Sequence, residues 1–130
     1  MSRKIPEAIR LLVAQRAGYY CEYCKIHVSE SFWSFQVDHI ISRKHGGKTE
    51  LKNLAWTCFP CNNGKGTDIG TMLLPDKTFI RLFNPREDDW NAHFEMEDGV
   101  IYANTLVGEA TIKVLKLNEV DRILERRALS

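Results

Sequence analysis

Four cysteines arranged as two Cys-x-x-Cys pairs constrain this chain more than any other feature. They are Cys21-Glu22-Tyr23-Cys24 and Cys58-Phe59-Pro60-Cys61. Two thiolates in one tight turn can reach a single ion, and two such turns complete a tetrahedral shell, so the quartet is expected to hold structural zinc. The long segment between Cys24 and Cys58 exceeds a usual finger gap, so the fold itself must bring the knuckles together. A thioredoxin-like redox pair would explain one Cys-x-x-Cys but not two, and it lacks the strand–motif–helix context at the first pair. Buried thiols are the other alternative.

The surrounding pattern predicts an α+β domain. Residues 5–17 read as an amphipathic helix, with Pro6 in its first turn and Gly18 as its stop. Phe32–Ile41 is rich in aromatic and β-branched residues and predicts a strand. Leu51–Thr57 predicts a second, partly irregular strand, and Cys61–Ile69 a short helix. Further on, Thr78–Phe83 is a candidate strand. Asp98-Gly99 marks a hairpin between His93–Glu97 and Val100–Asn104. Glu109–Leu117 and Asn118–Leu129 read as helices, with Asn118 as a cap. The 130 residues are expected to form one domain, 1–130, with a motif core at 19–67 and a C-terminal extension at 68–130 packed on it. Phe32, Trp33, Phe35 and Trp56 are expected to pack around the zinc rather than to stack on bases.

The start has no apolar leader segment, and no run is long and apolar enough for a membrane span, which points to a cytoplasmic protein with no membrane partner. In that reducing setting, paired cysteines favour metal over disulfides. The charge is uneven. Residues 1–66 hold ten Lys and Arg against five Asp and Glu, while the remainder holds eight against twelve. The cysteine-bearing half is therefore the basic one, as a nucleic-acid face would be. Arg43, Lys44, Lys52 and Lys65 are the candidate contacts to a phosphate backbone, with Lys65 the foremost. An ordinary solvated surface is the alternative for the group. His45 reads as a solvated loop histidine, and His27 and His93 as residues outside any metal site.

A second constellation is Asp38, His39, Asn53 and Asn62. Neighbours at a strand end point to opposite sides. Asp38 and the Asn62 amide oxygen could hold a hard cation such as Mg²⁺. Neutral His39 could take a proton from water near pH 7, and Asn53 could fix its orientation through the backbone. Taken alone, the same residues also fit a surface charge and a satisfied strand-end histidine.

In combination, Cys21-x-x-Cys24, Val37-Asp38-His39-Ile40-Ile41-Ser42, Gly46-Gly47, Asn53-Leu54 and Cys58-x-x-Cys61-Asn62-x-x-Lys65-Gly66 resemble the zinc-knuckle group of HNH endonucleases. The resemblance spans roughly residues 19–67. It implies a ββα-metal core around one divalent cation, Mg²⁺ or Mn²⁺, separate from the structural zinc on Cys21, Cys24, Cys58 and Cys61. It implies His39 as general base, Asn53 as the residue orienting it, and Asp38 as a metal ligand. The position after the last cysteine commonly holds histidine; here it is Asn62, which makes an H-N-N variant. The expected activity is metal-dependent hydrolysis of phosphodiester bonds in nucleic acid, with double-stranded DNA as partner. The alternative is a zinc-stabilised nucleic-acid-binding module without catalysis.

Overall fold

A computed structural model describes residues 5–128. Helix α1 (Glu7–Arg16) follows Pro6, whose φ of −56° suits the helix entrance, and ends before Gly18 in the left-handed region at φ 62°. Val13 and Ala14 are its buried residues. Two of its arginines reach across to the next layer. Arg10 Nη2 donates to the Phe35 carbonyl at 2.8 Å, and Arg16 donates to the carbonyls of Leu51 and Leu54 at 2.8 and 2.6 Å.

The first knuckle is closed by a bridge between Tyr20 and His27. Strands β1 (Phe35–His39) and β2 (Leu54–Cys58) then pair antiparallel, from Phe35 opposite Cys58 to His39 opposite Leu54. Every residue of β2 is buried. Helix α2 (Phe59–Lys65) starts directly from Cys58, with Pro60 in its first turn, where a missing N–H costs nothing. The result is a strand–strand–helix unit holding both knuckles, so the expected α+β core is present.

The remainder builds two further hairpins and three helices. Strand β3 (Gly70–Leu73) pairs with β4 (Thr78–Arg81). A short α3 (Trp90–His93) leads into β5 (Phe94–Glu97), which pairs with β6 (Val100–Ala103) across Asp98-Gly99. Helix α4 (Leu106–Leu115) is capped by Thr105, whose hydroxyl accepts from Gly108 N at 3.1 Å. It packs on α2, β3, β4 and β6. Gly64 permits the closest approach: a Cβ there would lie 3.1 Å from Leu115 Cα. Helix α5 (Val120–Arg127) completes the described chain.

Several expectations shift. The first strand is shorter than Phe32–Ile41. Phe32 lies outside it at 95% exposure, and Trp33 is exposed and stacked on Phe59 at 5.6 Å. Only Phe35 and Trp56 join the core, stacked on each other. Leu51–Asn53 forms a single tight turn before β2. Asn118 does not cap α5; its amide instead clamps Ile101, accepting from the backbone N at 2.9 Å and donating to the carbonyl at 2.8 Å. Leu129, the expected end of that helix, lies outside the described residues. No helix among the described residues is long and apolar enough to cross a membrane.

Candidate metal centre and catalytic site

The four cysteine sulfurs lie within 4.8 Å of one another, and all four residues are buried. Metal–sulfur bonds of 2.3 Å in a tetrahedron set sulfur–sulfur edges of about 3.8 Å. The Cys24–Cys58 separation of 3.7 Å already matches. The donor set and spacing fit zinc. β2 and the start of α2 present Cys58 and Cys61, while the Cys21–Cys24 turn arrives from the other side.

Arg122, from α5, also enters this centre, and nothing in the motif announces it. Its Nη2 donates to Cys61 Sγ at 2.8 Å and approaches Cys58 Sγ at 3.7 Å. Its Nη1 donates to the carbonyls of Leu115 and Lys116 at 2.7 and 3.1 Å. Burial alone would ease its proton off, but negative charge on the Cys61, Cys24 and Cys58 sulfurs, with the hydrogen bond to Cys61, more than offsets this and holds it charged.

Asp38 and His39 leave β1 on opposite sides, as strand pleating requires. The Asp38 side accommodates a buried ion pair. Lys65 Nζ lies 3.0 Å from Asp38 Oδ2, and the Tyr23 hydroxyl donates to the same oxygen at 3.4 Å. The Lys65 ammonium also donates to the His39 carbonyl at 2.9 Å, so one side chain of α2 touches both residues of the Asp-His pair. Asp38 is 5% exposed and Lys65 1%. Burial pushes the Asp38 carboxyl up to about 6, with the Lys65 ammonium and the Tyr23 hydrogen bond pulling it partly back. The expectation that Lys65 lies on the phosphate-binding surface therefore needs correction. A fully buried ammonium with an anionic partner is a structural and electrostatic element of the site, and only its chain position resembled a surface lysine.

On the other side, His39 Nε2 is 2.8 Å from Thr49 Oγ1. Burial, then the charges of Arg43 and Lys65, hold the imidazole below its ordinary value, so it is neutral near pH 7. Asn53 does not touch the ring. Its Oδ1 accepts from Ile41 N at 2.9 Å, and its Nδ2 donates to the carbonyls of Ile41 and Lys48, each at 2.9 Å. Its own carbonyl accepts from Ile40 N at 2.9 Å. One amide thus ties both ends of the 41–48 loop to the strand end that carries His39, which is orientation through the backbone. Gly47 is required by this clamp, because a Cβ there would fall 1.7 Å from the Ile41 carbonyl oxygen and 2.8 Å from Asn53 Nδ2.

Asn62 is half-buried on α2, one turn before Lys65, and its side-chain amide makes no hydrogen bond within the described residues. No hydrogen bond joins Asn62 to Asp38 within the described residues. Arg43, Lys44, His45 and Lys48 are exposed in the clamped loop, and Lys52 is exposed with Glu50 beside it at 3.5 Å. Thr49, Tyr23 and Arg122 are the residues that sequence reading missed. Sequence reading gave none of the three a role of its own.

Residues 21–68 match the family model described as HNH endonuclease. The match runs from Cys21, the first cysteine of the cluster, to just beyond α2, which is the span of the strand–strand–helix unit and both knuckles. Among curated proteins, the chain is similar to the Septu protein PtuB of Bacillus thuringiensis, at 27% identity over 123 residues. That alignment covers 93% of this chain and 45% of the relative, so the chain spans less than half of that protein's length. No solved structure matches it.

Proposed function

We propose that this protein is a metal-dependent endonuclease that hydrolyses phosphodiester bonds in double-stranded DNA, with His39 as general base. The observation that carries the reading is the His39 imidazole at a strand end, tethered by Thr49 and by the Asn53 loop clamp, within a segment that matches the HNH endonuclease model; burial lowers its proton affinity, as a general base near pH 7 requires. In the tautomer whose Nε2–H donates to Thr49, Nδ1 keeps the lone pair that accepts a proton from water. The water oxygen bonds to phosphorus, the bond from phosphorus to the 3′ oxygen breaks, and that oxygen takes a proton from solvent. The products are a 5′-phosphate and a 3′-hydroxyl.

Asp38 and Asn62 would hold the Mg²⁺ or Mn²⁺ ion, which when bound neutralises charge on the scissile phosphate and leaving oxygen. Oxygen donors suit these hard ions. Arg43, Lys44 and Lys52 position the phosphate backbone without reading sequence. The zinc is structural and takes no part in the reaction.

The second reading, a nucleic-acid-binding module without catalysis, is favoured by one observation: Asp38 already has a buried cationic partner in Lys65. Plasmid nicking with Mg²⁺ or Mn²⁺ decides between them. The endonuclease reading requires ion-dependent nicking that His39→Ala slows by about 10²–10⁴-fold. Plasmid binding without nicking, under either ion, would establish the binding module instead.

A further inference from the structure

We propose that Arg122 is a functional part of the zinc centre: its guanidinium is the buried counter-charge to the Cys58 and Cys61 thiolates, and through it the docking of α4 and α5 depends on the metal. A dication held by four thiolates leaves a net charge of about −2 in the interior, which is costly unless a cation or hydrogen-bond donors oppose it. Arg122 supplies both. It is 6% exposed and directs one guanidinium nitrogen at the sulfurs of the second knuckle. The other nitrogen binds the carbonyls of Leu115 and Lys116, where α4 ends. One planar group therefore spans the metal centre and the junction between α4 and α5. The fixed fork of an arginine suits this double duty, and a lysine would not provide it. The proposal is independent of the nuclease reading.

The fold contains an internal control. Arg126 lies one turn further along α5 and is also 6% exposed. Its guanidinium donates to the carbonyls of Gly99 and Leu117, at 2.8 and 2.6 Å, and to Asn118 Oδ1 at 3.3 Å. It makes no hydrogen bond to sulfur within the described residues. The two arginines anchor the same helix, but only Arg122 does so through the metal ligands. If Arg122 simply anchored a helix, the two substitutions would act alike on the zinc.

The test uses the full chain. Zinc release to a chelator is followed with a metallochromic dye in the parent, Arg122→Met and Arg126→Met. Loss of a partner hydrogen-bonded to a ligand typically costs about 10–100-fold in metal affinity. Release from Arg122→Met should accelerate by that order, with Arg126→Met close to the parent. Equal acceleration in both, or none in Arg122→Met, overturns the proposal. Arg122→Lys serves where the methionine variant does not fold. Loaded with Co²⁺ in place of zinc, it should show a displaced thiolate-to-cobalt charge-transfer band, because the Nη2 N–H donation to the Cys61 sulfur is lost. A band identical to that of the parent overturns the assignment.

Discussion

Replacing Lys65 by methionine keeps the aliphatic stem packed and removes the ammonium. Asp38 then stays buried against Tyr23 without its cation. In the parent, burial already holds the Asp38 carboxyl at about 6, even with Lys65 3.0 Å away. Without the lysine it should rise toward about 8–9, the range documented for buried carboxylates lacking a partner. Two to three such units are worth roughly 3–4 kcal/mol at about 1.4 kcal/mol each, in line with about 3–5 kcal/mol for breaking a buried pair. The His39 carbonyl also loses its donor, a pH-independent loss of about 1 kcal/mol. The sign follows from linkage. A carboxyl raised in the folded state favours folding below its unfolded value, and that contribution is lost as pH rises through the folded value. In the parent the loss is nearly complete just above pH 6; in the variant it continues toward pH 9. Urea unfolding without added Mg²⁺ or Mn²⁺ should therefore show Lys65→Met about 1 kcal/mol less stable near pH 5.5 and about 3–4 kcal/mol less stable near pH 8, where the linkage loss is not yet complete. Asp38→Asn combined with Lys65→Met should remove most of this pH dependence. Equal losses at both pH values would refute the buried ion pair as the organising interaction of this site.

Cys58→Ser should lower zinc content and melting temperature together, because the metal closes a long loop; elemental analysis of protein purified without chelator should find one zinc per chain. Asp38→Ala should weaken divalent-ion binding and nicking together, with part of the rate restored at high Mn²⁺, whereas His39→Ala should leave ion binding near the parent's in calorimetry. Asn62→His should shift preference toward Mn²⁺, Co²⁺ or Ni²⁺ if Asn62 is a ligand, and an unchanged order of metal preference would remove it from the site. Reversing charge at Arg43 or Lys52 should weaken DNA binding and flatten its salt dependence, while Lys113→Glu should do neither, as read from binding titrations at two salt concentrations.

The sequence by itself determined the parts that depend on local spacing. Two residues between paired cysteines fix a knuckle wherever it occurs, so the four cysteines that cluster in the fold could be named as candidate metal ligands without it. Asp98-Gly99 fixes a hairpin because its backbone twist favours residues that accept positive φ, and both adopt it here, at 51° and 82°. The adjacency of Asp38 and His39 on a strand dictated that they face apart, and they do. The β3 strand was not legible, since four residues bounded by Gly70 and a turn carry too short a pattern. The surface fate of Phe32 and Trp33 was hidden for a related reason: hydrophobicity says that burial is favourable but not which side of the strand end has a partner layer. Tertiary structure alone decided the electrostatics. Lys65 follows Asp38 by 27 positions, and Arg122 follows Cys61 by 61. Only folding carries α2 under β1 and α5 onto the second knuckle. A charge pattern along the chain cannot distinguish a solvated lysine from one sealed against a carboxylate, because that difference lies in the water excluded around it.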